Sequence, residues 1–313
     1  MNRIWAKPLG KFLLILVLNA ILNIAVGFLR VPVGYGKIAT IAVTVPFIVL
    51  PILALFFAAG AKWTHRLAFL FLLGGALLQF GLASLIGPVV SSKSTLALIL
   101  GAISQQGLPL WTLGIGALIA VSLKEKNIIL PVSIFLALFD IFLVLTPIGI
   151  TQVIMKAVPK ALPTVAYQLP QVAQSGEVPL GVRVAPFAYI GPADFLFMGM
   201  FFVCVHHFNM RVAATLKWLL IALAVYLAMA VLIGTAVPLL VPIGLSVLIV
   251  NLPEFKLTRD EWIGTAMVAA LGIGLIAFGM TRKTPVKQVV LETPVASPAP
   301  SKSPGSPVPA PPR

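Results

Sequence analysis

Apolar residues run along this chain in long blocks, without the alternation of a half-buried strand or the narrow stripe of a surface helix. The blocks fall at residues 12–29, 38–60, 67–90, 95–123, 128–150, 184–205, 212–234, 238–250 and 262–280. A helix needs roughly 20 apolar residues to cross about 30 Å of hydrocarbon, so each block predicts a membrane span, the one at 238–250 being short for it. The block at 95–123 is too long for one straight span and carries Gln105, Gln106, Gly107 and Pro109 near its middle. It predicts one long span or two short helices. The fold class is therefore all-α, a polytopic transmembrane helix bundle of nine or ten spans.

Composition agrees with the pattern. Of 313 residues, 60% are hydrophobic and 10% charged, and the mean hydropathy of +1.08 lies far outside the range of a soluble domain. The lipid bilayer is the expected surrounding, in the cell membrane. A net charge of +14 would suggest nucleic acid in a soluble protein, but here Lys and Arg sit in short loops and the tail, where they orient spans. No nucleic acid partner is expected. With nine spans and an inside amino terminus the 22 Lys and Arg residues divide 11 to 11, and with ten they divide 13 to 9, which favours ten.

The amino-terminal Arg3, Lys7 and Lys11 read as the flank of a first span, because the apolar stretch behind them is long and lacks a small-x-small cleavage site. The lone Cys204 allows no intrachain disulfide. The loop at 151–183 holds prolines at 159, 163, 170 and 179, with Pro186 just beyond, and predicts extended chain. Its alternating stretch at 178–184 predicts a short strand. From 283 to 313 the composition turns to Pro, Ser, Ala, Val and Lys, which predicts a disordered proline-rich tail.

Candidate chemistry comes from the eight acidic residues. Six of them, Glu125, Glu177, Glu254, Asp260, Glu261 and Glu292, fall in loops or the tail, leaving Asp140 and Asp194 within spans. A charged carboxylate at the bilayer centre costs about 2.5–3.5 kcal/mol on insertion scales, which makes such a residue a functional candidate by default. No Lys or Arg is expected at the same depth. Two acids without a cation lower their cost by facing a water-filled cavity, or by facing each other and sharing a proton. In the second arrangement one carboxyl stays protonated while the other acts as base. The base would activate water against a peptide carbonyl, and the acid would protonate the leaving amine. A proton relay in a transporter or channel, or a neutral polar contact between helices, would use the same residues differently.

The surrounding residues add a resemblance. Leu138-Phe139-Asp140 lies in one block, Tyr189-Ile190-Gly191-Pro192-Ala193-Asp194-Phe195 in the next, and Ala236-Val237-Pro238-Leu239-Leu240-Val241-Pro242 after one further span. In order and spacing these resemble the presenilin and signal peptide peptidase family, whose signatures are an aromatic-Asp pair, a Gly-x-Gly-Asp segment and a Pro-Ala-Leu segment. Phe139 stands where the family usually has Tyr, Pro192 and Ala193 replace the middle of the second motif, and Leu239 replaces the middle of the third.

The resemblance covers about 128–250 and implies a presenilin-like fold and an intramembrane aspartyl protease. Asp140 and Asp194 would be catalytic, supported by Phe139, Gly191, Pro192, Ala193, Phe195, Pro238, Leu239 and Leu240. The substrates would be transmembrane proteins or signal peptides, and no cofactor is expected. Accessory subunits and self-association are left open. Gly191-Pro192 and Pro238 to Pro242 also interrupt helical hydrogen bonding, as a site that must meet exposed backbone requires. The chain then divides into amino-terminal helices at 1–127, a catalytic core at 128–251 with its loop at 151–183, an additional carboxy-terminal span at 252–282, and the tail at 283–313.

Other signals stay ordinary. Ser91, Ser92 and Lys93 sit in a polar turn with no base marked for them. Cys204, His206 and His207 lack a further ligand for zinc. Trp63, Trp111, Trp218 and Trp262 read as interfacial anchors.

Overall fold

Prolines and hydroxyl caps set where helices begin in the computed structural model, which describes residues 7–92, 94–148, 162–176, 178–233 and 237–282. The proline-rich tail expected at 283–313 and residues 151–161 of the loop lie outside these. Helix α1, Pro8–Phe28, opens on a proline at its first turn, where the missing N–H costs nothing. It is followed by α2, Gly36–Ala59, and by α3, His65–Ala76, whose Thr64 cap accepts from Leu67 N–H at 3.3 Å. A π-helical turn, Leu77–Gly81, continues α3.

The long block at 95–123 divides into α4, Thr95–Ser104, and α5, Gly107–Ser122. Gln105 and Gln106 between them keep right-handed helical backbone angles, so the chain shifts its hydrogen bonds without reversing direction. Then come α6, Ile129–Leu145, α7, Pro192–His207, α8, Val212–Ile233, α9, Leu240–Asn251, and α10, Arg259–Thr281. Thr258 and Glu261 form a reciprocal capping box at the start of α10.

The molecule is mostly helical, and among the described residues six helices are long and apolar enough to cross a membrane: Pro8–Phe28, Gly36–Ala59, Thr95–Ser122, Lys126–Leu145, Val212–Met229 and Arg259–Thr281. Those at His65–Gly81, Pro192–His207 and Leu240–Glu254 are shorter. Their outward faces suit hydrocarbon: Leu13, Leu14, Val17 and Ile21 of α1 and Trp262, Met267 and Leu271 of α10 are exposed. The core is filled by Phe12, Phe47, Leu55, Leu108, Leu113, Phe201 and Phe202.

The connections gather at two ends. At one end Asn127 Nδ2 donates to Lys256 O at 2.9 Å and to Glu261 at 3.0 Å, Arg211 N–H donates to Asn251 Oδ1 at 3.0 Å, and Glu254 pairs with Arg211 at 3.5 Å. At the other end, among the described residues, lie four short strands. Strand β1, Arg30–Val31, pairs in parallel with β3, Ala173–Gln174, and β2, Tyr167–Leu169, pairs antiparallel with β4, Ala188–Ile190.

Two expectations are corrected here. The stretch at 178–184 forms no strand, because Gly181 sits at φ +75° in a turn and its N–H is taken by Gly27 O at 3.2 Å. The strand entering the second aspartate helix is β4 instead. The block at 184–205 becomes helical only at Pro192, since Pro186 and Gly191-Pro192 keep the preceding chain extended.

Candidate functional site

Asp140 lies five residues before the end of α6 and is buried. Its Oδ2 accepts a hydrogen bond from Leu240 N–H at 2.8 Å. Leu240 is the first residue of α9, so its N–H has no partner within the helix, and a carboxylate there also meets the positive end of the helix dipole. Pro242, two residues on, has no N–H to offer. The approach that permits this bond is set one turn deeper, at Gly244, where a Cβ would stand 3.0 Å from Ser133 O of α6. Phe139 stands in a stacked ladder with Phe135 at 5.3 Å and Phe142 at 6.2 Å. Pro238 is buried and nonhelical ahead of α9, and Leu239 caps that helix.

Asp194 occupies the third position of α7, behind Gly191 as cap and Pro192 as first residue. Its Oδ2 accepts from Gly191 N–H at 3.1 Å, and its own N–H donates to Gly191 O at 3.2 Å. Gly191 suits the tight cap: a Cβ there would stand 3.3 Å from that carboxylate oxygen. Ala193 is exposed. Phe195 is buried, and its ring meets that of Tyr167 at 5.2 Å, so β2 braces the start of α7 on one side while β4 leads into it on the other.

The two carboxylates are close enough for the charge of Asp140 to act on Asp194, and it reaches Tyr226 of α8 as well. The site is therefore assembled from α6, α7 and the start of α9. Among the described residues no three His, Cys, Asp or Glu side chains gather as a metal site.

No family model, no curated protein and no solved structure matches the chain.

Several polar residues were not singled out by sequence reasoning, and they hold β2 in place. Asn19 of α1, fully buried, donates from Nδ2 to Tyr167 Oη at 2.7 Å and to Gln106 Oε1 at 2.9 Å. Gln105 Nε2 donates to Gln168 O at 2.7 Å. Gln79, in the π-helical turn, donates to Thr164 O at 2.7 Å and accepts from Trp111 Nε1 of α5 at 2.6 Å. Arg183 donates to Asn23 Oδ1 at 2.7 Å and to Gln168 Oε1 at 3.2 Å. A cation thus enters the helical bundle where none was expected, because Arg183 lies in a loop by sequence but folds back onto α1 and α4.

A cavity of about 250 Å³ lies beside this network, bordered by Gln79, Ser104, Gln105, Gln168 and Arg183 among others. The two aspartates do not line it.

Proposed function

We propose that this chain is an intramembrane aspartyl protease that hydrolyses peptide bonds within transmembrane segments, with Asp140 and Asp194 as its dyad. The observation that carries the proposal is the pair itself: two carboxylates from different helices, within electrostatic reach of each other, each held by a backbone N–H at the start of a broken helix. Brought into contact around a substrate, two such acids would share a proton, which provides a general acid and a general base at one peptide carbonyl. The segments with a Pro-Leu-Leu and a Gly-Pro-Ala-Asp sequence meet these same carboxylates, as the resemblance to the presenilin and signal peptide peptidase family implies.

Strand β4 supports the reading in a second way. It runs into Gly191 and the Asp194 helix with β2 on one side, and among the described residues no strand lies on its other side. An unwound substrate segment added there would lie next to the dyad, with main-chain hydrogen bonds giving affinity.

We further infer nine membrane crossings in the cell membrane. The turn at Gln105-Gln106 does not reverse the chain, and the α5–α6, α7–α8 and α9–α10 connections share one end. Asp140 and Asp194 then fall on the fifth and sixth crossings and Pro238 precedes the eighth, one fewer in each case than the ten-span count gives. The fold would be presenilin-like over 128–250, with α10 as an addition that packs on α6 through Gly272 and Gly279.

The test is cleavage of a transmembrane peptide by the purified protein in detergent, with an aspartyl protease transition-state mimic and the Asp194→Ala variant as controls. Cleavage abolished by both supports the dyad. Folded protein that leaves several substrates intact, yet moves protons in liposomes, would replace it with a relay that uses the same two aspartates.

A further inference from the structure

We propose that the crevice between α1, α4 and the β2 segment binds a phosphate-bearing anion that also carries a hydroxyl group, through Arg30, Arg183 and Gln105. This is a site separate from the aspartates. Both guanidinium groups border the crevice beside Asn23, Gln105 and Gln168. The crevice they share is small, about 20 Å³, and adjoins a cavity of about 250 Å³ that Arg183 and Gln105 also border and Arg30 does not.

Charge makes the case. Arg183 spends two N–H donors on neutral amide oxygens, Asn23 Oδ1 and Gln168 Oε1. Arg30 donates to the carbonyls of Gly27, Leu29 and Pro179, while its Nε is buried without a partner. Among the described residues the ion pairs are those of Glu254 at the other end of the bundle, so neither arginine meets a carboxylate. Two positive charges on the border of one crevice, partly withdrawn from water, are stabilised by an anion, and a guanidinium fork fits a phosphate's paired oxygens.

Gln105 supplies the second requirement. It is 6% exposed, its Nε2 is fixed on Gln168 O, and its Oε1 has no donor. An acceptor left bare beside two cations calls for a ligand that brings a hydroxyl along with its charge, as a glycerol phosphate does. The crevice sits at the end of the bundle where α1 ends and α4 begins, so the phosphate could arrive on a lipid headgroup or from solution.

The experiment uses the full chain purified in neutral detergent or reconstituted in vesicles, and reads the thermal midpoint. The probes are inorganic phosphate, glycerol 3-phosphate, and phosphatidylglycerol mixed into phosphatidylcholine vesicles, against phosphatidylcholine alone. A rise of at least about 2 °C with glycerol 3-phosphate, exceeding that with inorganic phosphate and lost in R30Q and R183Q, is the expected result. A rise only with phosphatidylglycerol, lost in the same variants, also supports the site and assigns the source to a headgroup.

No rise with any probe, or a rise that survives in both variants, overturns the proposal. Should R183Q fail to fold, R183K keeps the charge without the fork and is expected to retain part of the response.

Discussion

The carboxylate of Asp140 accepts the backbone N–H of Leu240 across 100 residues of sequence, at 2.8 Å. A hydrogen bond to a charged group is worth about 1.5–3 kcal/mol, comparable with the roughly 2.5–3.5 kcal/mol that a charged aspartate costs at the bilayer centre. The bond would therefore offset part of the cost of holding a charged side chain at membrane depth. It also fixes where Asp140 points.

That placement depends on the closeness of α6 and α9 at Gly244. Gly244→Val puts a branched side chain against Ser133 O, 3.0 Å from the Cβ position, and pushes the two helices apart. We expect peptide cleavage to fall by at least about tenfold, the equivalent of 1.4 kcal/mol, while the protein still purifies as a monodisperse species. Gly244→Ala, which adds one methyl, should retain more activity than the valine variant. Equal activity in all three proteins would separate the helix spacing from the chemistry.

Pro238 stops α9 from growing backwards into the site. Pro238→Ala supplies an N–H and lets helix extend through residues that are now nonhelical. Cleavage should weaken with no loss of thermal stability, and wild-type turnover in this variant would remove the segment from the mechanism.

Tyr167 separates two contributions of β2. Tyr167→Phe removes the hydroxyl that accepts from Asn19 but leaves Asn19 Nδ2 bonded to Gln106 Oε1, and it keeps the ring against Phe195. The loss should be about 1 kcal/mol of stability with cleavage preserved. Tyr167→Ala also removes the ring, and a buried aromatic truncation costs about 3–5 kcal/mol. Cleavage should then fall along with thermal stability.

The proposed nine crossings would put Lys7 and Arg282, which flank α1 and α10, on opposite faces of the membrane. Single cysteines at these two positions, in a protein whose buried Cys204 is replaced by alanine, should react with a membrane-impermeant thiol reagent from opposite sides of oriented vesicles. Labelling of both from one side would restore ten.

Helix positions were legible in the sequence because apolar blocks and prolines act locally: Pro192 and Pro8 mark first helical turns in the structure as their chemistry dictates. Asp140 and Asp194 were legible for the same reason, as charges against an apolar background. The strand next to Asp194 was not. Residues 178–184 alternate as well as 188–190 do, and the difference is decided by the turn at Gly181 and its bond to Gly27, a contact distant in sequence. Arg183 was misread on similar grounds, since a loop residue that folds back onto Asn23, 160 positions earlier, leaves no local signature. Asn19 and Asn23, one helical turn apart within an apolar block, were the visible trace of that polar network.

Asn19 also constrains the order of assembly. Its two partners, Gln106 and Tyr167, lie 87 and 148 residues further along the chain. At synthesis rates of about 5–20 residues per second, the first helix enters the bilayer roughly 10 seconds before the tyrosine exists. Until Gln106 is made the amide has neither of these partners, and from then until Tyr167 is made it has one. The amino-terminal helix, although remote from the aspartates in sequence, is thus completed only once the segment that braces the second of them has been made.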